Sequence, residues 1–468
     1  MPDSSYVLTF CPQSGPDLDL DRLRGLAVAD ALARARQARG EATVLAPAAG
    51  ASAPRAQLDA FAIGYDWDVA LPPDDPAVTR WATWLLGRLE GAGKLHQRNG
   101  EWRLRCGALH AESEAAVDRL EGWTPAAVAG QRELLAHVDA PVDDAGGDGD
   151  DALSESLSKL AAAGWAVDNR KDKGTPAVHY AAGDLPVARG ESWETPEALH
   201  PRLTAALALL LAGAGPEIRA AEPGSAPGAW LPATLTVADR DSAHALLDLR
   251  TVARALRDAG AIQLRGGEPL GPVLAYRPLR LKAVRRRPDP ADAAGTAPDA
   301  DPNDLAALAA AHSPEAIRFA LLHAAAPEKR FGGGVDVVGY AERLLARIRD
   351  HGLARIAGGA DAAIDTGDGL RRRLARWCET AETRIAANYA AAAPHRATRN
   401  VARLADRIVA FESLVAERRG SLDAADRAAV AAALVTLARA LAPLAPATAA
   451  ELLATAGADS DVPAAAAA

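Results

Sequence analysis

The chain has 468 residues, of which 52 are basic and 61 acidic, so its formal net charge is −9. This length predicts two or three domains with real hydrophobic cores, and the charge disfavours a polyanion partner for the chain as a whole. Three widely spaced cysteines, Cys11, Cys106 and Cys378, argue against a disulfide framework or a cysteine-rich zinc site. Because no apolar run is long enough for a membrane span and no secretory leader is visible, we expect a cytoplasmic protein with no membrane partner.

The first 50 residues predict a strand, a loop, a helix and a second strand. A β-prone run at 6–10 precedes a turn-rich loop, an Ala/Leu/Arg helix at 22–39 that Gly40 ends, and a short apolar strand at 42–45. This order opens a parallel α/β sheet, whose ligand site lies at the carboxyl ends of its strands. We therefore expect functional chemistry in the loop at 11–21.

Helix-like and strand-like segments alternate from there to about residue 331. The clearest helix has Val78, Trp81, Trp84, Leu85 and Leu89 at helical spacing, which predicts a buried stripe. An acidic, glycine-rich segment is expected to be a flexible linker. In chain order the segments are a helix at 76–91, a strand at 96–104, a helix at 124–137, the linker at 139–151, helices at 203–211 and 242–258, and a second soft segment at 285–301.

The last third of the chain is helical throughout. Residues 335–453 predict a bundle of four or five amphipathic helices, and Gly332 to Gly334 before it are interpreted as a hinge. Within the bundle, residues 370–420 hold eleven arginines and five acidic residues, a local charge of +6. The negative overall charge therefore hides one basic zone. The tail at 457–468 is low in complexity and is expected to be disordered.

Six sequence blocks occur in an order that is typical of one family. They are GYDWD at 64–68, WATWLLGRLEGAG at 81–93, GWTPAAVAGQ at 122–131, WAVDNRKDKGTPAVHY at 165–180, WLPATLTVADRDSAHALLDL at 230–249, and DPNDLAALAAAHSPEAIRFALLHAAAPEKRF at 301–331. In this order they resemble the leucyl-tRNA synthetases, which are class I aminoacyl-tRNA synthetases. The resemblance covers nearly the whole chain.

The resemblance implies a Rossmann-like parallel α/β catalytic-type domain followed by an all-α, anticodon-binding-like bundle. The acidic linker lies where the family inserts its editing domain, so the chain is expected to lack that domain. The expected divisions are a first half of the α/β domain at 1–138, the linker at 139–151, the second half and a connective segment at 152–334, the bundle at 335–456 and the tail at 457–468.

The family's two ATP-binding signatures are degenerate in this chain. The first places two histidines at the start of the first helix; here the matching stretch is CPQSGPDLDLDR, in which Ser14, Gly15 and Leu18 match and the histidine positions fall on Asp19 and Arg22. From the residues alone, Asp19 or Asp21 is expected to cap the helix. The family's adenylate-pocket histidine falls on His244. Ser14, Gly15 and His244 are therefore the residues that the resemblance assigns to nucleotide binding.

The second signature, KMSKS, normally supplies lysines to the pyrophosphate. Its expected position at 291–295 reads ADAAG, and the nearest basic residues are Lys282, Arg285, Arg286 and Arg287. Electrostatic donors of this kind are each worth about 3 to 4 kcal/mol in a transition state. Their loss predicts a pseudo-synthetase that binds tRNA, a nucleotide or a partner protein without charging tRNA by the usual route.

Two alternatives stay open. The first is an active, divergent ATP-dependent aminoacyl-tRNA ligase that uses Arg22, the cluster at 285–287 and Mg²⁺ in place of the missing groups; ATP and Mg²⁺ are expected only in that case. The second is a protein-interaction scaffold. We predict tRNA, and not DNA, as the nucleic-acid partner, and no resident metal. The expected RNA-binding residues in the bundle are Arg371, Arg372, Arg373, Arg376, Arg384, Arg396, Arg399 and Arg403.

Overall fold

The structure is a computed structural model that describes most, but not all, of the chain. The described residues are 5–10, 18–41, 43–46, 55–66, 68, 71–104, 185–190, 192–214, 219–225, 235–238, 243–262, 273–276, 279–282, 301–327, 329, 331–334, 336–357 and 367–457. The predicted helix at 124–137, the linker at 139–151 and nearly all of the tail lie outside the described residues.

The chain folds into two compact units, and each is formed by separate stretches of sequence. The first unit is Met1–Ser14, Thr43–Ser52 and Tyr65–Tyr276, and the second unit is Gly15–Ala42, Ala53–Gly64 and Arg277–Ala468. The first helix and the region at 277–334 thus belong to the same unit as the bundle. The predicted domain boundaries follow the sequence order and stay a prediction.

A four-stranded parallel sheet forms the centre of the first unit. Its strands are β1 (Ser5–Phe10), β2 (Thr43–Ala46), β6 (Leu235–Ala238) and β7 (Val273–Ala275), in the spatial order β2-β1-β6-β7. Val7 lies opposite Leu45 on one side and Leu235 on the other. Every residue of β6 is buried, as expected for a parallel strand covered on both faces. The predicted α/β fold with a parallel sheet is confirmed.

Three amphipathic helices build the core of the first unit: α3 (Pro76–Gly91), α4 (Pro201–Ala214) and α5 (Ala243–Asp258). Asp75 starts α3 by accepting a hydrogen bond from the Ala77 amide at 2.7 Å, and Pro76 occupies the first turn, where its missing N–H costs nothing. Trp81, Leu207 and Leu256 from the three helices share one buried cluster. The predicted stripe of α3 is confirmed, with Trp84 half-buried at its edge.

The single strand predicted at 96–104 is wrong. The segment is a hairpin of β3 (Leu95–Arg98) and β4 (Glu101–Leu104), and β5 (Leu185–Arg189) pairs with β4 on its other side. Asn99 and Gly100 both have positive φ, at 54° and 76°. An Asn-Gly pair in this conformation is the preferred two-residue hairpin turn, because its twist matches that of the strands.

The second unit joins a small α/β part to five long helices. Its elements are α1 (Leu20–Gln37), α2 (Arg55–Ala60), β8 (Leu279–Lys282), α6 (Leu305–Ala311), α7 (Pro314–Ala324), β9 (Phe331–Gly334), α8 (Asp336–Ile356), α9 (Gly369–Ala390), α10 (Pro394–Arg419), α11 (Ala424–Leu441) and α12 (Pro446–Thr455). The predicted helical bundle is confirmed. Gly332 to Gly334, interpreted from sequence as a hinge, instead form part of β9, which pairs in parallel with β8.

Local sequence determines where the bundle helices begin and end. Asp368 accepts from the Leu370 amide to start α9, and Asp423 and Asp426 form a reciprocal capping box at the start of α11. Gly420, at φ +82°, ends α10 in the left-handed conformation that glycine adopts without strain. These signals occur within a few residues of each boundary, so the sequence alone predicts them.

Candidate functional sites

The side chain of Asp19 caps the N-terminus of α1. Asp19 is exposed, has extended backbone geometry, and accepts a hydrogen bond from the Arg22 amide at 2.7 Å. Next to it, the Leu18 amide donates to the side-chain oxygen of Gln57 at 3.2 Å. The predicted capping by Asp19 is confirmed. A helix N-terminus attracts anions through its unpaired amides. Here the Asp19 carboxylate already accepts a hydrogen bond from one of these amides.

A second carboxylate, Asp21, lies in the first turn of α1. Its two oxygens accept from the Leu279 amide at 2.9 Å and pair with the Arg280 guanidinium at 3.0 Å. Burial raises the pKa of Asp21, and nearby Asp19 adds to the rise, while the Leu279 amide and Arg280 oppose it. The site therefore presents negative charge, with Arg280 as the cation that balances it.

The other predicted nucleotide-site residues are placed very differently. Arg22 is only 4% exposed, within the buried face of α1. His244 lies in the first turn of α5 and Lys282 ends β8; of their side chains nothing is described. Ser14, Gly15 and Arg285 to Arg287 lie outside the described residues.

The predicted RNA-binding arginines of the bundle separate into two groups. Arg371 is nearly buried and lies 3.2 Å from the carboxylate of Asp426, which is fully buried. Arg372 donates to the Gly367 carbonyl at 3.3 Å. Arg371 thus joins two helices of the bundle, whereas Arg372 makes a local bond at the start of α9. The remaining six side chains, Arg373, Arg376, Arg384, Arg396, Arg399 and Arg403, are exposed.

Most of the exposed group forms a basic ridge, defined as Arg373, Arg376 and Arg384 on α9 with Arg396, Arg403 and Arg407 on α10. Residues three, four, seven, eight or eleven apart lie on one side of a helix, and the spacings within each row are of this kind. Each row spans eleven residues, which is roughly 16 Å of helix. Arg399, three residues from Arg396 and four from Arg403, borders this face and acts electrostatically on His323 and His395.

A tryptophan joins the two rows of the ridge. The guanidinium of Arg373 lies 5.0 Å from the ring centre of Trp377, and that of Arg407, from the neighbouring helix, lies 5.5 Å from it. Such cation–π contacts hold guanidinium planes in place while leaving their N–H groups free to bind. Neither Trp377 nor Arg407 is among the predicted RNA-binding residues, although Arg373 and Trp377 are one helical turn apart.

Two acidic residues of α10 pair with side chains of α8. Asp406 pairs with Arg347 of α8 at 2.6 Å, and Glu412 pairs with His351 and Arg355. Across the described parts of the chain, no ion pair is found for Arg376, Arg384, Arg396 or Arg403. These four arginines of the ridge are therefore available to bind an external anion.

A buried charge network links two of the blocks that carry the family resemblance. Asp30 of α1 accepts from the Gly64 amide at 2.8 Å, from Arg34 at 2.8 Å, and from Arg318 of α7. Arg318 is fully buried and also donates to the carbonyls of Phe61, Ala62, Pro443 and Leu444. Gly64 begins the GYDWD block and Arg318 lies in the block at 301–331, so one carboxylate connects both.

The first unit holds an open groove of about 590 Å³ beside α3. Trp84 and Pro196 line it together with the carboxylates of Asp74, Glu194 and Glu222. Arg80 also lines it, but one of its nitrogens donates to the Arg219 carbonyl at 2.7 Å. The groove is therefore acidic and unsuited to a nucleic acid. In the parts of the chain that the structure describes, no helix is long and apolar enough to cross a membrane.

Comparison with known proteins identifies the fold. No family model matches the chain. A curated relative, the leucine–tRNA ligase of Halobacterium salinarum, is 26% identical over 147 residues, which include 26% of this chain and only 17% of the relative's length.

Solved structures match over nearly the whole chain. The leucyl-tRNA synthetase of Agrobacterium radiobacter, solved as a ternary complex with tRNA and LeuAMS, superposes with a TM-score of 0.63 at 15% identity, covering 98% of this chain and 86% of that one. The methionyl-tRNA synthetase of Mycobacterium tuberculosis, bound by methionyl-adenylate, gives a TM-score of 0.56 at 14% identity over 96% and 94% of the two chains. The chain therefore has the fold of the class I aminoacyl-tRNA synthetases, and its sequence resembles that of a leucine–tRNA ligase.

Proposed function

We propose that the protein binds tRNA through the basic ridge of α9 and α10 and does not activate an amino acid with ATP. The ridge is the observation that carries the proposal. The complex of the Agrobacterium radiobacter enzyme with tRNA supports tRNA as the RNA, because that protein shares this fold over most of its length.

The ridge has the chemistry of a phosphate-binding surface. Arginine binds phosphate in a bidentate manner, and most contacts that position a protein on nucleic acid go to the backbone. Two rows of arginines, each roughly 16 Å long, are long enough to contact several successive phosphates of one strand. Because the rest of the chain is acidic, RNA would be attracted to this face and repelled from the others.

The start of α1 supports the second half of the proposal. A triphosphate would meet Asp19, which already accepts from the helix amide, and Asp21, which faces Arg280. Two carboxylates at the terminus oppose a polyanionic ligand, whereas anion sites at helix termini rely on free amides and added cations.

The divergent-ligase alternative requires cations that reach the phosphates. Arg22 is one of the replacements that it needs, yet the side chain is 4% exposed and lies within the second unit's core. Moving it to a ligand would require a nearly buried side chain to leave its packed position. This burial favours the pseudo-synthetase.

Neutralising the ridge is expected to weaken RNA binding. The triple variant Arg376→Gln, Arg384→Gln and Arg403→Gln should bind a tRNA transcript about ten- to a hundredfold more weakly at low salt, because three phosphate contacts are lost. The slope of log affinity against log salt should fall in magnitude by about 2 to 3. Fluorescence anisotropy across a salt series measures both quantities.

The matched control removes the same charge elsewhere. Arg349, Arg427 and Arg439 are exposed residues of α8 and α11 outside the ridge, and their triple glutamine variant should keep its affinity within about threefold. Equal losses in the two triple variants would show that only net charge matters and would remove the ridge from the proposal. Wild-type protein with no measurable affinity for any tRNA would reject the function itself.

ATP–pyrophosphate exchange tests the catalytic half of the proposal. With leucine, methionine or a mixture of all twenty amino acids, exchange should not exceed a blank without enzyme, because the histidines and lysines that would stabilise the phosphate charge are absent from the matching positions. An active leucyl-tRNA synthetase serves as the positive control. Exchange above the blank, abolished by removal of Mg²⁺, would instead establish the divergent ligase.

A further inference from the structure

Three rings are stacked on the side of the second unit where α7, α8 and α10 meet. Phe319 is fully buried, His323 stacks on it with ring centres 5.9 Å apart and planes at 17°, and Tyr340 lies over His323 at 5.3 Å. Tyr340 is 38% exposed, one of two large apolar side chains exposed to that degree among the described residues. The column therefore begins in the core and ends on an aromatic ring that faces solvent.

Hydrogen bonds fix this column. The Nδ1 atom of His323 lies 3.1 Å from the Thr398 hydroxyl of α10, which in turn donates to the His395 carbonyl at 2.9 Å. Burial lowers the pKa of His323, and Arg399 lowers it further, so the ring is neutral near pH 7. A neutral, hydrogen-bonded imidazole contacts Tyr340 on one side, and the phenol ring is exposed enough to accept a further ring.

Cations without carboxylate partners lie beside the column. Lys329, Arg396 and Arg399 are exposed, and in the described part of the chain none of them forms an ion pair. The backbone that carries Lys329 is held by Arg24, which donates to the carbonyls of Ala326 at 3.0 Å and Lys329 at 3.3 Å. We call Lys329, Arg396 and Arg399 the cation cluster.

The pKa of His395 depends on the positive charge of this cluster. The pKa of His395 is lowered to about 4, mainly by burial. The positive charges of four neighbours lower it further, in the order Arg399, Arg396, Arg24 and Lys329. Four positive groups thus act on one imidazole. A bound anion would neutralise part of that field and would raise the pKa of His395, which makes this histidine a probe for the occupant.

We propose that Tyr340 and the cation cluster form a binding site for one unpaired nucleotide, whose base stacks on Tyr340 and whose phosphate is held by Arg399 and its neighbours. The inference rests on the proposed RNA-binding function and adds a second site, which adjoins the ridge at Arg396. A solvent-facing aromatic ring with adjacent arginines is the combination by which proteins hold single-stranded nucleotides without reading their sequence.

The test compares RNA with and without an unpaired end. A blunt RNA hairpin and the same hairpin with a four-nucleotide single-stranded 3′ extension are titrated against full-length protein by fluorescence anisotropy. Tyr340→Ala should weaken binding of the extended hairpin about five- to a hundredfold and leave the blunt hairpin within twofold. Tyr340→Phe keeps the stacking ring and should stay within twofold of wild type on both.

Val409→Ala is the matched control for lost apolar surface, because Val409 is the other large apolar side chain exposed to 38%. It should leave both affinities unchanged. An equal effect of Tyr340→Ala on both hairpins, or none on either, would overturn the proposed nucleotide site. The ridge variant separates this failure from that of the proposed function: if it still weakens both hairpins, RNA binding stands and only the nucleotide site is lost.

His395 provides an independent readout. The ¹H–¹³C signal of its ring should titrate near pH 4 in the free protein and at a higher pH with the extended hairpin bound. Repeating the titration with AMP distinguishes a free nucleotide from one in a strand: a Tyr340-dependent shift with either one supports the site. An unchanged His395 pKa with both ligands would show that no phosphate enters the cluster.

Discussion

Replacing Asp30 with alanine is expected to lower the free energy of unfolding by about 3 to 5 kcal/mol, because removal of one partner from a buried ion pair leaves the other charge uncompensated. Arg318 is fully buried and pairs with Asp30, and Arg34 donates to the same carboxylate at 2.8 Å. In the variant, two buried guanidinium groups lose their only shared anion among the described residues.

Urea unfolding measures this loss. Asp406→Ala is the control, since its ion pair with Arg347 is more than half exposed on both sides and should contribute far less. If Asp30→Ala were no more destabilising than Asp406→Ala, the network would not hold the second unit together.

The same carboxylate predicts a dependence on pH. Burial by itself would raise the pKa of Asp30, but Arg318, Arg34 and the Gly64 amide hold it below its usual value. The folded-state pKa is therefore depressed, so the stabilisation is fully present above about pH 4, where an unfolded aspartate is ionised, and is lost as the pH falls through the folded-state pKa. When the pH is lowered across this acidic range, the free energy of unfolding of Asp30→Ala should therefore decrease less than that of wild type.

Charge reversal at Arg371 is expected to destabilise the bundle rather than report on RNA. The side chain is 12% exposed and lies 3.2 Å from Asp426, a carboxylate with no exposed surface. Glutamate at this position would place a second negative charge beside a buried one and remove a partner from it, lowering the free energy of unfolding by about 3 kcal/mol or more. Arg419, at 3.1 Å from Asp426, would remain as its other cation.

Arg376→Glu makes the same change in charge on the exposed ridge. Thermal unfolding of this variant should stay close to that of wild type, while its RNA affinity falls. A folded Arg371→Glu variant of wild-type stability would show that the Asp426 pairing is dispensable. The contrast means that RNA experiments on this bundle are best made at Arg376, Arg384 and Arg403, not at Arg371.

Local chemistry explains why part of the fold was predictable. The helical period of Val78, Trp81 and Leu85 and the cap at Asp75 lie within one segment, and the structure places that helix as expected. The hairpin at Asn99 and Gly100 also had a local signal, which the strand prediction overlooked. By contrast, the glycines of β9 look like a hinge in sequence because their pairing with β8 joins residues 52 positions apart.

The candidate site was predictable only in outline. A surplus of arginines in 370–420 is visible in the composition, and the start of α1 shows its carboxylates directly. Which arginines are available depends on Asp426, 55 residues from Arg371, and the Tyr340 column requires three helices to meet. The spacing of residues in the sequence does not predict such contacts.

By itself, the sequence determined the opening strand, helix and strand of the parallel sheet, the helices at 76–91, 203–211 and 242–258, and the helical character of the last third. It also determined the order of the family-like blocks and the replacement of histidine by Asp19, because propensity, capping and charge act over a few residues. Only the tertiary structure decided that Arg318 neutralises Asp30 across 288 residues, that Arg371 is structural while Arg376 is exposed, and that Tyr340 ends a stacked column. The physical reason is that ion pairing, burial and ring stacking depend on distance in space, which the folding of the whole chain sets.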